Sequence, residues 1–325
     1  MATPPAVDRT ALSRRGFLSG AVVLSAAPIL AACGASGSTM PPDATPAARG
    51  VPETRLQLSA LDARLARIEN DHKVRLGVFA HSPIDGRSCS YRGDERFAMC
   101  STFKIYAAAG ILRLESLGRL TLDETIAVEP ADIVVNSPVT TEHQGRVMTV
   151  GHLCEAALTR SDNTAANLLL RRLGGPDTVT ALARAVNDKA TRLDRWEPEL
   201  NEAGRGDERD TTTAAGLGAG CHELLLGAGL PPQQQRTLAG WMRGSLTSDK
   251  RIRAALPPGW TAADKTGGGD HGTVNDAGVV WSPQGDPLVL VVLSDSTTGD
   301  PDVPIDDVPT VAATAAVIEA MTTGM

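Results

Sequence analysis

Aromatic side chains are scarce. Phe, Trp and Tyr make up only 3% of the 325 residues, too few to furnish the stacking platforms on which proteins hold bases or sugars. An excess of basic residues is missing as well. Formal net charge is -7, with Lys and Arg spread along the chain, which argues against a nucleic-acid partner. No Cys-x-x-Cys and no His-x-His occurs, and the six histidines are scattered. A His/Cys zinc site therefore has little support, and no metal or cofactor is expected. What remains is a globular composition, 42% hydrophobic and 21% charged, in a chain long enough for one large or two small domains with a real core.

The first residues read as an address rather than as fold. Arg9, Arg14 and Arg15 precede an uncharged, mostly apolar run from Phe17 to Ala32 that is too short for a comfortable membrane span. Ser13-Arg14-Arg15-Gly16-Phe17-Leu18 resembles a twin-arginine export signal. Leu30-Ala31-Ala32-Cys33 resembles a lipoprotein box, with Cys33 as the lipidated new N-terminus; the alternative is a plain secretory signal cut near Ala32. Residues 1–33 are thus assigned to the signal. Residues 34–53, rich in Gly, Ser, Pro and Ala, are assigned to a flexible tether. Location is expected to be extracytoplasmic, lipid-anchored through Cys33 or released.

The rest, 54–325, reads as one catalytic unit. Leu56, Leu58, Leu61, Leu65 and Ile68 mark an amphipathic helix. Strands are expected at 74–80 and 88–92, separated by the Pro83-Ile84-Asp85-Gly86 turn. A helix is expected from Ser101 to about Leu117, and 118–152 looks irregular, broken by Pro130 and Pro138. Further helices are expected at 152–158, 164–173, 177–186, 213–227, 232–242 and 311–321, with strands at 261–266, 274–281 and 288–294. Residues 191–213 carry dense charge without a period, and so long a loop in a compact domain is usually functional. Strands at both ends with helices between them predict an α/β (α+β) fold, in which a sheet built from about 54–97 and 244–325 is flanked by helices and an all-helical part, about 98–243, is inserted. The cleft between two such parts suits a ligand.

Four clusters carry chemistry. Ser101-Thr102-Phe103-Lys104 sets a hydroxyl and an amine one turn apart on a helix face, where a desolvated lysine can take the serine's proton. On its own such a motif arises about once by chance in a chain of this length, and an N-capping serine would look the same. Ser161-Asp162-Asn163 follows in a short interhelical loop. Next comes Arg195-Trp196-Glu197-Pro198-Glu199-Leu200-Asn201, and last Lys265-Thr266-Gly267 on a strand.

Taken in order, these clusters resemble the class A serine β-lactamases of the penicillin-recognising hydrolases. Longer stretches agree: Ser-Asp-Asn-Thr-Ala-Ala-Asn from 161 and Asp-Glu-Arg-Asp-Thr-Thr from 207. The resemblance covers about residue 55 to the end. It implies an antiparallel five-stranded sheet and hydrolysis of penicillins and cephalosporins through an acyl-serine, hence resistance, by a monomer with a small-molecule substrate. It implies Ser101 as nucleophile, Lys104 as its proton partner, Ser161 as proton relay to the lactam nitrogen, and Glu197 as the base for the deacylating water, with Asn201 fixing that water. The acylation base, Lys104 or Glu197, stays open. Lys265, Thr266 and Arg251 are expected to hold the substrate carboxylate, and Asn163 to accept from or donate to its amide. Gly267 and Gly268 let the strand approach the ligand, with the Ser101 and Gly268 N–H groups as oxyanion hole. Arg195 and Asp210 are expected to pair across the loop neck, and the bond before Pro198 to be cis.

Some positions depart from the family. Val274 stands where many members carry a carboxylate-gripping arginine, and Arg251 is the substitute; a surface arginine is the alternative. Asn136 replaces an aromatic at the cleft edge, and Arg160 an apolar residue before Ser161. Gly269 removes the cysteine that could pair with Cys100, and Ala108 the one that could pair with Cys154. Two readings compete: a penicillin-binding D,D-peptidase, and an acylated penicillin sensor. Both lack a deacylating carboxylate such as Glu197. The ligand set of a zinc β-lactamase, His-x-His-x-Asp, is absent.

Overall fold

A computed structural model of the chain describes residues 51–322. The proposed signal and most of the proposed tether lie outside them. The first helix, α1 (Val51–His72), starts inside the stretch assigned to the tether. Its Leu61, Leu65 and Ile68 recur at helical spacing and are buried. Strands β1 (Val74–His81) and β2 (Ser88–Tyr91) form the expected hairpin, and a short strand β3 (Arg96–Ala98) leads to α2 (Lys104–Ser116).

The region read as irregular is not structureless. It holds β4 (Thr125–Ala127), the short helix α3 (Pro138–Glu142) and β5 (Val147–Thr149), with β4 and β5 paired antiparallel. Elements this short leave no periodic signal in sequence. Three helices follow, α4 (Val150–Thr159), α5 (Asn163–Leu173) and α6 (Asp177–Ala185). Thr149 caps α4 by accepting from the His152 N–H at 3.1 Å, and Gly174 ends α5 at φ 113°, a left-handed conformation that favours glycine. Beyond the charged loop come β6 (Thr211–Thr213), paired with β3, then α7 (Ala214–Leu225) and α8 (Pro232–Arg243). The chain closes with β7 (Thr261–Gly269), β8 (Thr273–Trp281), β9 (Pro287–Ser296) and α9 (Val308–Thr322).

The main sheet has the order β2-β1-β9-β8-β7, antiparallel throughout. It is thus built from both ends of the described chain, as expected. Alternate residues of the central strands serve two cores. Ala263, Ala277, Val279, Val289, Val291 and Leu293 join the core around α2, while Ala262, Val280, Leu290 and Val292 pack with α1 and α9. Two helices cross the proposed division, and α8 packs on β7. α7 lies in the stretch assigned to the helical part, yet it packs directly on β1, β8 and β9. Its small residues explain this, since a side chain at Gly218 would meet the Phe79 ring at 2.3 Å.

Candidate active site

The segment leading into Ser101 is held from two sides. The Met99 N–H donates to the Asp210 carbonyl at 3.0 Å, and Asn275 Nδ2 on β8 donates to the Ala98 and Met99 carbonyls at 2.8 and 3.2 Å. Cys100 then takes φ 44°, a strained conformation for a non-glycine residue, and aims the next residue at the cleft. Ser101 does not open an α-helix as expected. Residues 100–103 form a 3-10 turn, and α2 begins at Lys104. The tighter turn brings residues three apart nearly into line, and Lys104 Nζ donates to Ser101 Oγ at 2.8 Å. The apolar face of α2 anchors this pair, with Ile105, Tyr106, Ile111 and Leu112 all buried.

Lys104 is fully buried and surrounded by acceptors. Its ammonium donates to Asn163 Oδ1 at 2.6 Å and to the Ser161 carbonyl at 2.9 Å, and stands 3.0 Å from Glu197 Oε1. Ser161 itself sits at φ 56°. Asp162 fixes that loop: it caps α5 by accepting from the Ala165 N–H at 2.8 Å and takes the Val139 and Thr140 N–H groups at 2.8 and 2.9 Å. Ser161 Oγ lies 3.4 Å from Lys104 Nζ and accepts from Lys265 Nζ at 3.0 Å. One hydroxyl therefore links two lysines. Burial, then the nearby Lys104 and Arg251 charges, push the Lys265 ammonium's pKa well below the ordinary lysine value.

Residues 191–213 bring the carboxylate in. Glu197 is buried, with Oε1 3.5 Å from Ser101 Oγ, a separation too long for a strong direct bond. Asn201 Nδ2 donates to Glu197 Oε2 and to the Pro198 carbonyl. Asn201 Oδ1 is buried without a protein donor, an acceptor suited to a solvent molecule. The Glu197–Pro198 bond is cis, as expected. Arg195 Nε donates to Asp210 Oδ2 at 2.5 Å, and Asp210 Oδ1 also takes the Asp194 and Arg195 N–H groups at 2.7 and 2.9 Å, so the neck of the loop is closed by the expected pair. The rival Glu199 is exposed on a 3-10 turn. Asn167 received no role from the sequence although it ends the matching stretch from 161. Its amide clamps Glu197 from α5: Nδ2 donates to the Glu197 carbonyl at 2.9 Å, and Oδ1 accepts the Glu197 N–H at 3.0 Å.

The opposite wall comes from β7 and the segment before the sheet. Arg251 is largely buried. It donates from Nη1 to the Gly267 and Asn275 carbonyls at 2.6 and 2.8 Å and from Nε to Asp307 at 2.7 Å. Its Nη2 lies 3.8 Å from where a Gly268 side chain would begin. This is no surface arginine. Thr247, another residue the sequence reading missed, shares a hydrogen bond of 2.7 Å with Thr266 Oγ1. Glycine at 267 is required by close approach, because a Cβ there would fall 2.8 Å from the Met99 carbonyl. The cleft so formed measures about 730 Å³, and Ser101, Asn163, Asn201, Thr266 and Gly268 line it. Lys104, Glu197 and Lys265 lie beneath its floor. Asn163 Oδ1 accepts from Lys104, and its amide nitrogen donates to the Val135 carbonyl at 3.0 Å.

A model of the Beta-lactamase enzyme family matches residues 60–317. The chain belongs to that family. A β-lactamase of Streptomyces lavendulae is 46% identical over 312 residues, covering 94% of this chain and 96% of the relative. Solved structures agree. A β-lactamase from Desulfarculus baarsii superposes with TM-score 0.79 at 43% identity, over 82% of this chain and 99% of that one. The class A β-lactamase of the last common ancestor of Gram-negative bacteria gives 0.77 at 47%, over 81% and 99%. Together with the Ser101–Lys104–Glu197 geometry, these likenesses make this chain a class A serine enzyme. In this enzyme Cys89, Cys100, Cys154 and Cys221 are free and buried.

Proposed function

We propose that the enzyme opens the ring of penicillins and cephalosporins in two steps at Ser101, and so confers resistance to them. Ser101 Oγ attacks the lactam carbonyl while its proton leaves toward Lys104 or, through solvent, Glu197. The N–H groups of Ser101 and Gly268 take the negative oxygen. The C–N bond then breaks, and Ser161 passes a proton to the nitrogen, with Lys265 holding the serine's oxygen polarised. Thr266, Arg251 and Lys265 receive the substrate carboxylate, and Asn163 its side-chain amide. In the second step Glu197 takes a proton from a water held with Asn201. The hydroxide adds to the ester carbon, and Ser101 leaves with a proton returned to it.

The observation that carries this reading is the buried Glu197 carboxylate, 3.5 Å from Ser101 Oγ and held by Asn201. The D,D-peptidase and acylated-sensor readings lack a carboxylate so placed. Class A enzymes are typically exported, and among the described residues no helix is long and apolar enough to cross a membrane. We further propose twin-arginine export, lipid attachment at Cys33 through a tether, a division into sheet and helical parts, and a monomeric state. Cys33→Ser should move the enzyme from the membrane fraction to the soluble one, and an unchanged distribution would count against the anchor.

The deciding experiment follows a chromogenic cephalosporin with and without a chelator. Many turnovers per enzyme, unaffected by the chelator, are expected. A single stoichiometric burst would favour the peptidase or sensor.

A further inference from the structure

Behind the lysine strand lie two carboxyl groups that no step above uses. Asp264 on β7 and Asp276 on β8 are both fully buried. By the alternation of their strands they sit on the face covered by α9, the opposite side from Lys265. Asp264 Oδ1 takes Arg253 Nε at 2.8 Å, and Asp276 Oδ2 takes the Ile252 N–H at 3.1 Å. One oxygen of each is left over. Asp264 Oδ2 and Asp276 Oδ1 are buried with no donor, and since Asp264 faces Gly278 and Asp276 faces Thr266 in the strand register, the two side chains are diagonal neighbours on one face.

Two ionised carboxylates cannot share such a place, because burial and mutual repulsion both oppose the second charge. A single proton between them satisfies both orphaned oxygens at once. We propose that Asp276 carries that proton and donates to Asp264 Oδ2, and that the resulting neutral–anionic pair is a positioning element for the carboxylate-binding wall. Burial and then the Asp264 charge drive the Asp276 pKa up, in agreement. The surrounding charges assign the anion. Arg253 neutralises Asp264, while Arg251 near Asp276 is already paired with Asp307. Lys265 on β7 and the Cys221 thiol on α7 also feel Asp276; burial pushes the Lys265 pKa down and the Cys221 pKa up.

What the pair positions follows from its partners. Arg253, fixed on Asp264, also donates to the Met242 and Ser245 carbonyls at 2.9 and 3.0 Å. Ile252, fixed on Asp276, is the residue after Arg251. The segment pinned at these points carries Thr247 and Arg251 to the cleft. This inference rests on the proposed role of that wall in holding the substrate carboxylate.

Infrared spectroscopy of the unliganded enzyme in H₂O and D₂O tests the proton without using activity. A buried carboxylic-acid C=O band is expected at neutral pH, and Asp276→Asn should abolish it. Kinetics test the positioning. Asp276→Asn, whose amide can both donate to Asp264 and accept from Ile252, should keep KM for a penicillin near wild type. Asp276→Leu should raise KM at least about fivefold, the equivalent of one buried hydrogen bond at ~1 kcal/mol, with kcat largely retained. A bridging solvent molecule would satisfy the oxygens without a proton. Absence of an Asp276-dependent acid band would select that reading and overturn the proposal even in a fully active enzyme, and a Leu variant that lowers kcat instead of raising KM would overturn the positioning role.

Discussion

Lys104 Nζ and Glu197 Oε1 stand 3.0 Å apart with both side chains fully shielded from solvent. An ion pair so placed is costly to form, and removing one partner leaves an uncompensated charge. Each group also has a second task, since Lys104 donates to Ser101 Oγ at 2.8 Å while Glu197 faces the same oxygen. In the proposed mechanism the pair therefore couples the acylating and deacylating sides of one serine.

Glu197→Gln should separate the two steps. Loss of the general base should slow deacylation by about 10²–10⁴-fold. Mass spectrometry after mixing with a penicillin should find the enzyme held as an adduct of one substrate mass, while the first burst remains. Turnover at the wild-type rate would remove Glu197 from its role.

Asn167→Ala removes both side-chain bonds to the Glu197 backbone. At ~1 kcal/mol each, stability should fall by about 1–3 kcal/mol, read as a lower Tm. Deacylation should slow more than acylation, because the displaced group is the water-activating carboxylate. A lower Tm with both rates unchanged would confine Asn167 to stability.

Arg195→Ser leaves Asp210 buried without its cation. A loss of ~2–3 kcal/mol is expected, less than for a fully buried pair because Arg195 is partly exposed. The loosened loop should favour cephalosporins with bulky acyl groups over small penicillins. Unchanged Tm and unchanged relative kcat/KM would contradict this.

Gly269→Ala would place a Cβ 2.6 Å from the Asn201 carbonyl and 2.7 Å from Cys100 Sγ. Backbone at the end of β7 or in the loop must shift, at a cost of about 1–3 kcal/mol. A crystal structure of the variant should show the gap between 269 and 201 widened, with the Tm lowered.

Lys265 gives a pH test. With its folded pKa lowered by burial and by the neighbouring Lys104 and Arg251 charges, its charge is lost at lower pH than in the unfolded chain. KM for carboxylated substrates should therefore rise on the alkaline side, and Lys265→Arg, charged throughout, should delay that rise. Stability moves oppositely. Between the folded and unfolded pKa values the unfolded chain binds more protons, so this group's contribution to folding improves as pH rises through that window. Identical alkaline limbs for KM in wild type and Lys265→Arg would refute the assignment.

The sequence by itself determined the catalytic vocabulary. Ser101, Lys104, Ser161, Asn163, Glu197, Asn201 and Lys265 lie in short local motifs, and the long helices and central strands show in apolar periodicity, because both kinds of information depend on neighbours within a few residues. Even the departures at Val274 and Gly269 were readable one position at a time. Only the tertiary structure decided what reaches across the chain. Asn167 meets Glu197 from thirty positions away, and Thr247 meets Thr266 from nineteen. The shared environment of Asp264 and Asp276 exists only because β7 and β8 pair in one register and bury both faces. Such contacts have no period and no local spacing. They follow from which surfaces the hydrophobic cores press together, and burial then gives each polar group its partner or leaves it the proton it cannot lose.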